Sequence, residues 1–212
     1  MKYVLKSLLK LMIRLWSHFY TYSFSQWLAG KRDMIYTLWI CNFIGKIGKD
    51  SSIRYPCILQ GSGAKRISIG DNTCIQSHAV LGCWEKYKTS VFNPQIIIGN
   101  NCDFGAYNHI SACNKIIIGD GLLTGRYVII NDNSHGSLSL EEAKVPPAQR
   151  KLNSKGEIVI GKNVWIGDKV AVLSGVHVGD NVIIAANAVV TKDIPSNCVV
   201  AGVPAKVVKQ II

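Results

Sequence analysis

The sequence predicts an all-β solenoid of short parallel strands behind a helical N-terminal segment, and three observations predict it. An aliphatic residue returns every six positions at Ile160, Ile166, Val172, Val178, Ile184 and Val190. A second apolar set, Val164, Val170, Val176, Val182 and Ala188, follows the first five by four residues. Gly and Asn recur between the sets, as in Gly99-Asn100-Asn101, Gly161-Lys162-Asn163 and Gly179-Asp180-Asn181. A helix repeats at 3.6 and a flat strand at 2, so a period of six fits neither alone. It fits a coil that turns a corner every few residues with both apolar sets pointing inward. One such coil cannot bury its apolar side by itself, so stacked coils share a core. Gly and Asn supply the tight or left-handed backbone that corners need.

The elements follow in order. In residues 1–44, Lys2, Lys6, Lys10, Arg14 and Ser17 fall on one helical stripe. Val4, Leu8, Leu11, Leu15 and Phe19, with Leu5, Leu9, Met12 and Trp16, fill the other side. This is a basic amphipathic helix by spacing. Trp27 and the apolar run 34–43 suggest a second, short helix. Two placements stay open for the apolar side: packing on the body or a neighbouring subunit, or lying in an anionic membrane surface. The solenoid occupies 45–208, faint at Ile47 and Ile53, then clear at Ile69 and Ile75. It breaks at 82–95, resumes at Ile96, passes Phe104 and Ile110, resets at Ile116 and runs through Thr124 to Ile130. The longest break, 131–157, is polar and holds Pro146-Pro147; a long loop in a compact repeat domain suggests function. Turn chemistry around Pro195 and Gly202 stops the repeat, leaving a short tail.

Bulk properties narrow the class. The 212 residues suit one domain with an appendage. Every apolar run meets a charge before the roughly 18–20 residues a spanning helix needs. Lys6, Lys10 and Arg14 interrupt what would be the core of a secretory signal. Seven cysteines without a CxxC pair suggest reduced, structural thiols in the cytoplasm. A net charge of +11 calls for a polyanionic partner: a phosphate-bearing cofactor, an anionic membrane or nucleic acid. No nucleic-acid motif is visible and the aromatics are not interleaved with the basic residues, so nucleic acid is not expected.

The hexad rule, aliphatic then small (Ile160-Gly161, Ile166-Gly167, Val178-Gly179, Ile184-Ala185), resembles the hexapeptide-repeat acyltransferases. The match is strongest in 158–167, in Val190-Thr-Lys-Asp-Ile-Pro195 and in Ala201-Gly-Val-Pro204. That combination resembles the maltose/galactoside acetyltransferase branch and polysaccharide O-acetyltransferases. The resemblance implies a left-handed parallel β-helix, acetyl-CoA as cosubstrate, a homotrimer and a carbohydrate acceptor, with the protein cytoplasmic or peripheral at the inner face of the membrane. Residues 1–44 are not the usual N-terminal module of the maltose enzymes, which argues against a maltose-like substrate. An N-acetyltransferase of an amino sugar, an acetyltransferase of an antibiotic or of serine, and a non-catalytic membrane-associated scaffold are the alternatives.

Moving an acetyl group from a thioester to a sugar hydroxyl requires a base that takes the hydroxyl proton, and histidine suits near neutral pH. His135, where a coil ends and the long loop begins, stands where the resembled family has its catalytic histidine. Asp132, Glu141 and Glu142 are candidates to orient its ring, and Asp132 is also a candidate acceptor contact. His109 is the second-choice base, and Asn108 matches a family asparagine near the acceptor, read as acceptor-positioning or loop-positioning, with a plain corner residue as its other reading. His78 and His177 read as solvated, and His18, on the N-terminal helix, as a surface or interface residue. Trp165 takes an outward hexad place and suits an apolar wall for the pantetheine arm. Ala186 matches a small residue against which that arm lies; Thr191 and Lys192 match the turn near the adenosine; Lys206 stands where the family often has arginine near the phosphates. No metal is expected: His78, His109 and His135 are spaced 31 and 26 apart, which does not resemble the γ-carbonic anhydrase pattern.

Overall fold

Three parallel sheets wrap residues 46–201 into a triangular left-handed β-helix; the computed structural model describes residues 2–137 and 139–211. The first face stacks Lys46–Ile47, Ile67–Ile69, Gln95–Ile98, Lys115–Ile118, Ile158–Ile160 and His177–Val178. The second stacks Ser52–Ile53, Cys74–Ile75, Asp103–Phe104, Leu123–Thr124, Trp165–Ile166, Ile183–Ile184 and Cys198–Ala201. The third stacks Cys57–Gln60, Ala79–Cys83, His109–Ala112, Ile129–Asn131, Ala171–Leu173 and Val189–Val190. The sixfold period is the register itself. Ile47, Ile69, Ile98, Ile118, Ile160 and Val178 pair in sequence up the first face. Leu59, Leu81, Ile110, Ile130, Val172 and Val190 do so up the third. Nearly all of these side chains are buried, each contributing about 1.5–3 kcal/mol of transfer free energy.

The corners divide their labour by residue type. Between the first and second faces, Asn72, Asn101, Asn163 and Asn181 take the left-handed conformation, with φ of 51–55°. The glycines before them serve another purpose, close approach between coils. A Cβ on Gly70 would lie 2.5 Å from Asn100 Oδ1 and 2.6 Å from the Gly99 carbonyl oxygen. The residue between the glycine and the left-handed position ties one coil to the last: Asp71, Asn100 and Asp120 each accept, at 2.8 Å, the backbone N–H of Lys49, Asp71 and Asn100 in turn. These bonds satisfy corner amides that the parallel ladders leave free.

The N-terminal segment differs from the sequence expectation. Helix α1 spans Lys2–Phe19, and the second helix is not short: α2 spans Tyr22–Ile40. Thr21 starts it by accepting the Phe24 N–H on its hydroxyl at 3.1 Å, a capping signal the apolar pattern did not reveal. No residue of α1 is buried, so its apolar side does not pack on its own β-helix. Helix α2 covers the first coil. Tyr36 Oη donates to the Cys57 carbonyl at 2.7 Å and accepts the Cys57 N–H at 3.0 Å, and Thr37 bonds the backbone of Ile53. At the far end the expected short tail is a strand, Lys206–Gln210, that folds back antiparallel on Cys198–Ala201.

All seven cysteines are free, five of them buried. Burial pushes the thiols of Cys57, Cys83 and Cys113 up to about 12, the range of inert structural cysteines. No helix among the described residues is long and apolar enough to cross a membrane.

Candidate active site

Both breaks in the repeat leave from the third face and meet again outside it. The first carries a hairpin, Lys86–Tyr87 against Ser90–Val91. The second carries the pair Ser134–His135 against Leu152–Asn153, a short helix α3 (Leu140–Ala143) and a turn at Pro147–Gln149. Tyr87 and His135 meet edge to face with ring centroids 5.6 Å apart, and Lys88 Nζ donates to the Ala148 carbonyl. His135 is exposed, its backbone fixed opposite Leu152. Gly136 follows at φ +88°, a left-handed turn suited to glycine.

Beneath this meeting point lies a polar floor. Trp84, whose ring lies 5.9 Å from Tyr87, donates its indole N–H to Ser111 Oγ at 3.2 Å. Asn133 donates its amide to the Ser111 carbonyl and hydroxyl, both at 3.3 Å. Asp132 is fully buried there and accepts the N–H groups of Cys113 and Asn114 at 2.8 and 2.9 Å. Burial pushes its carboxyl above the usual carboxylate range, and those N–H groups with the Asn133 amide oppose the shift. Asp132 therefore does not hydrogen-bond the His135 ring; its carboxylate holds the turn at 113–114. Glu142 is also committed, its carboxylate accepting the Ser137 N–H while Ser139 Oγ caps α3 by accepting the Glu142 N–H. Hydrogen bonds from Ser137 hold its carboxyl below the usual range. Among the described residues, neither these carboxylates nor Glu141 hydrogen-bonds the His135 ring.

Asn108 takes an inward place. It sits inside the prism, 2% exposed, with Nδ2 donating to Thr124 Oγ1 and Oδ1 accepting the Val128 N–H at 2.8 Å. Its amide is spent on the neighbouring coil and offers no group to an acceptor. His109, the second-choice base, points outward from the third face between Val80 and Ile129. Its Nε2 is buried without a hydrogen-bond partner among the described residues, and burial lowers its pKa. His78 is exposed and stacked on Tyr107 at 4.5 Å.

The residues expected at the cofactor lie elsewhere on the prism. Trp165, 52% exposed, points outward from the second face in register with Leu123 and Ile183. Ala186 is exposed at the corner between second and third faces. Thr191 and Lys192 are exposed at the corner between third and first faces, two coils beyond the loop that carries His135. Lys206 is exposed on the terminal strand, opposite Ala201. The edge from which His135 departs and the face that carries Trp165 are opposite sides of one triangle. Tyr87, Lys88 and Trp84 had no periodic signal; only their place inside a break pointed to them. No cluster of three metal-ligating side chains occurs among the described residues.

The family model for the bacterial transferase hexapeptide (six repeats) matches residues 157–192. A putative lipopolysaccharide biosynthesis O-acetyl transferase, WbbJ, of Escherichia coli K12 is 34% identical over 162 residues, covering 74% of this chain and 78% of that protein. Among solved structures, AntD, an N-acyltransferase from Bacillus cereus in complex with dTDP and 3-hydroxybutyryl-CoA, superposes with a TM-score of 0.66 at 18% identity, over 82% of this chain and 87% of that one. VCA0836 from Vibrio cholerae O1 biovar eltor, a hexapeptide-repeat acetyltransferase complexed with acetyl coenzyme A, gives 0.57 at 22% identity, over 91% of both chains. At those identities the two structures share the fold.

Proposed function

We infer, since this chain belongs to the hexapeptide-repeat, acetyl-CoA-dependent acyltransferases, that it moves an acetyl group onto a sugar hydroxyl of a surface polysaccharide or its lipid-linked precursor. The observation that carries this reading is the meeting of both repeat breaks at an exposed His135.

The chemistry asks little of the protein. His135 takes the proton of the acceptor hydroxyl as its oxygen attacks the thioester carbonyl. The carbon–oxygen bond forms, the carbon–sulfur bond breaks, and CoA leaves as the thiolate, which regains a proton. Tyr87 sets one wall of the acceptor site and orients the imidazole by edge-to-face contact. Trp165, Ala186, Thr191, Lys192 and Lys206 are proposed to bind the cofactor, with Trp165 against the pantetheine arm and the lysines near the phosphates. Since His135 and Trp165 lie on opposite sides of one prism, they serve one reaction only from neighbouring subunits. A cyclic homotrimer supplies that arrangement three times. Asp132 and Asn108 support the site from within and do not touch the acceptor.

A test follows CoA thiol release with a panel of glycans against wild type and His135→Ala. The reading expects a loss of roughly 10²–10⁴-fold in the variant with acetyl-CoA binding unchanged. Equal, slow release by both proteins with every acceptor would overturn it. The likeness to an N-acyltransferase bound to dTDP supports a second reading, an amino-sugar acceptor; turnover confined to amino sugars would select it.

A further inference from the structure

We propose that α1 docks the protein on an anionic lipid bilayer, lying in the surface with its apolar side toward the acyl chains and its cations among the headgroups. The inference stands on the N-terminal segment alone and does not depend on the acetyl-transfer reading.

Every residue of α1 is exposed, including large apolar side chains that water solvates poorly: Leu8 at 53%, Met12 at 66%, Trp16 at 64% and Phe19 at 81%. The helix is about 27 Å long at 1.5 Å per residue, and its apolar side runs the full length. It is not built to cross a membrane. An amphipathic helix with a basic polar side and low mean hydropathy lies in the interface instead.

Charge decides the occupant. The chain has no acidic residue before Asp33, while Lys2, Lys6, Lys10, Arg14, Lys31 and Arg32 precede it. Removing these 6 from the 24 basic residues leaves 18 against 13 acidic, so the rest of the chain is basic as well. A second copy therefore offers no acidic excess to meet the stripe, and two such helices paired through their apolar sides would leave both basic stripes unneutralised. Anionic headgroups meet it directly, each lysine or arginine strengthening the attraction. The aromatics fit the same depth. Trp16, Tyr20, Phe24 and Trp27 form a continuous run across the junction of α1 and α2, with ring centroids 5.7–5.8 Å apart. Tryptophan and tyrosine, apolar in the ring and polar at the tip, concentrate at this level of a bilayer.

The experiment is flotation of the full-length protein with phosphatidylethanolamine–phosphatidylglycerol vesicles and with pure phosphatidylcholine vesicles, at low and high salt. The expected result is binding to the anionic vesicles at least about tenfold tighter than to the neutral ones, weakening with salt. Two double variants, Leu8→Asp with Leu15→Asp and Lys6→Glu with Lys10→Glu, should each abolish flotation while thermal midpoint and oligomer mass stay as in wild type. Failure to float with anionic vesicles overturns the proposal. So does equal binding to both lipids, or dissociation of the oligomer in the leucine variant, which would make the apolar side a subunit contact. Thiol release with a water-soluble acceptor, run on the same preparations, separates the two readings: turnover without flotation sinks the docking alone, and flotation without turnover sinks the transferase reading alone.

Discussion

Tyr87 of the first loop excursion lies edge to face on His135 of the second, their ring centroids 5.6 Å apart. Neither ring has a place in the repeat, and each depends on the other for position. Replacing Tyr87 with Ala should lower kcat/KM for the acceptor by about tenfold to a hundredfold through loss of imidazole positioning. The affinity for acetyl-CoA and the thermal midpoint should hold. Steady-state kinetics beside calorimetric titration of the cofactor checks this, and an equal loss of cofactor binding would remove Tyr87 from the acceptor side.

The opposition of His135 and Trp165 on one prism predicts subunit complementation. His135→Ala and Trp165→Ala homo-oligomers should each be impaired. Unfolded together and refolded as mixtures, they should regain about a quarter of wild-type activity, the random chance that an intact histidine faces an intact tryptophan in a cyclic assembly. Mixtures no more active than the sum of the parents would place both residues in one subunit's site.

His109 predicts an acid sensitivity. Burial depresses its folded pKa, so between that value and the unfolded value near 6.5 the unfolded chain binds more protons. Stability should therefore fall as pH drops below about 6.5, with a slope of at most about 1.4 kcal/mol per pH unit per site. The loss stops once pH passes below the folded pKa. In His109→Phe this component should vanish, which urea midpoints measured across pH would reveal.

The corner chemistry gives a paired stability test. Gly99→Ala would bring a Cβ to 2.6 Å from Asp120 Oδ1 and 2.8 Å from its backbone nitrogen. It should cost about 2 kcal/mol or more, since coil separation is fixed by the ladders on both sides. Two residues on, Asn101 sits at φ 55°, and Asn101→Gly should cost less than about 1 kcal/mol. Similar costs at both places would contradict the division of labour between close approach and left-handed backbone.

The coils were legible because an inward position is read by chemistry: Ile160 through Val190 can be counted without knowing any contact. The same rule places Thr124 but is silent on Asn108, and there a polar pair replaces two aliphatic residues inside the core and satisfies itself across neighbouring coils. An inward asparagine with a partner one coil away is indistinguishable, in one dimension, from a corner asparagine free to bind. Asp132 escaped for a related reason, since its value lies in the backbone N–H groups of Cys113 and Asn114, which no side-chain pattern records. The start of α2 was missed because apolar residues mark only one stretch of it, while Thr21 sets its beginning. Tyr87 could be placed in a break but not beside His135, because two irregular loops carry no shared period.

A stack of parallel coils has no intrinsic reason to stop, and each open edge is a template on which another strand could grow. This chain closes both. Tyr36 and Thr37 of α2 bond the backbone of the first coil, and the reversed strand Lys206–Gln210 covers the second face of the last one. Reversal matters more than coverage there: a strand running the wrong way, bearing Lys206 and Lys209, cannot seed the next parallel rung. The terminal segment thereby keeps a polymer-like repeat a molecule of fixed length, and deleting it would expose the beginning of a filament.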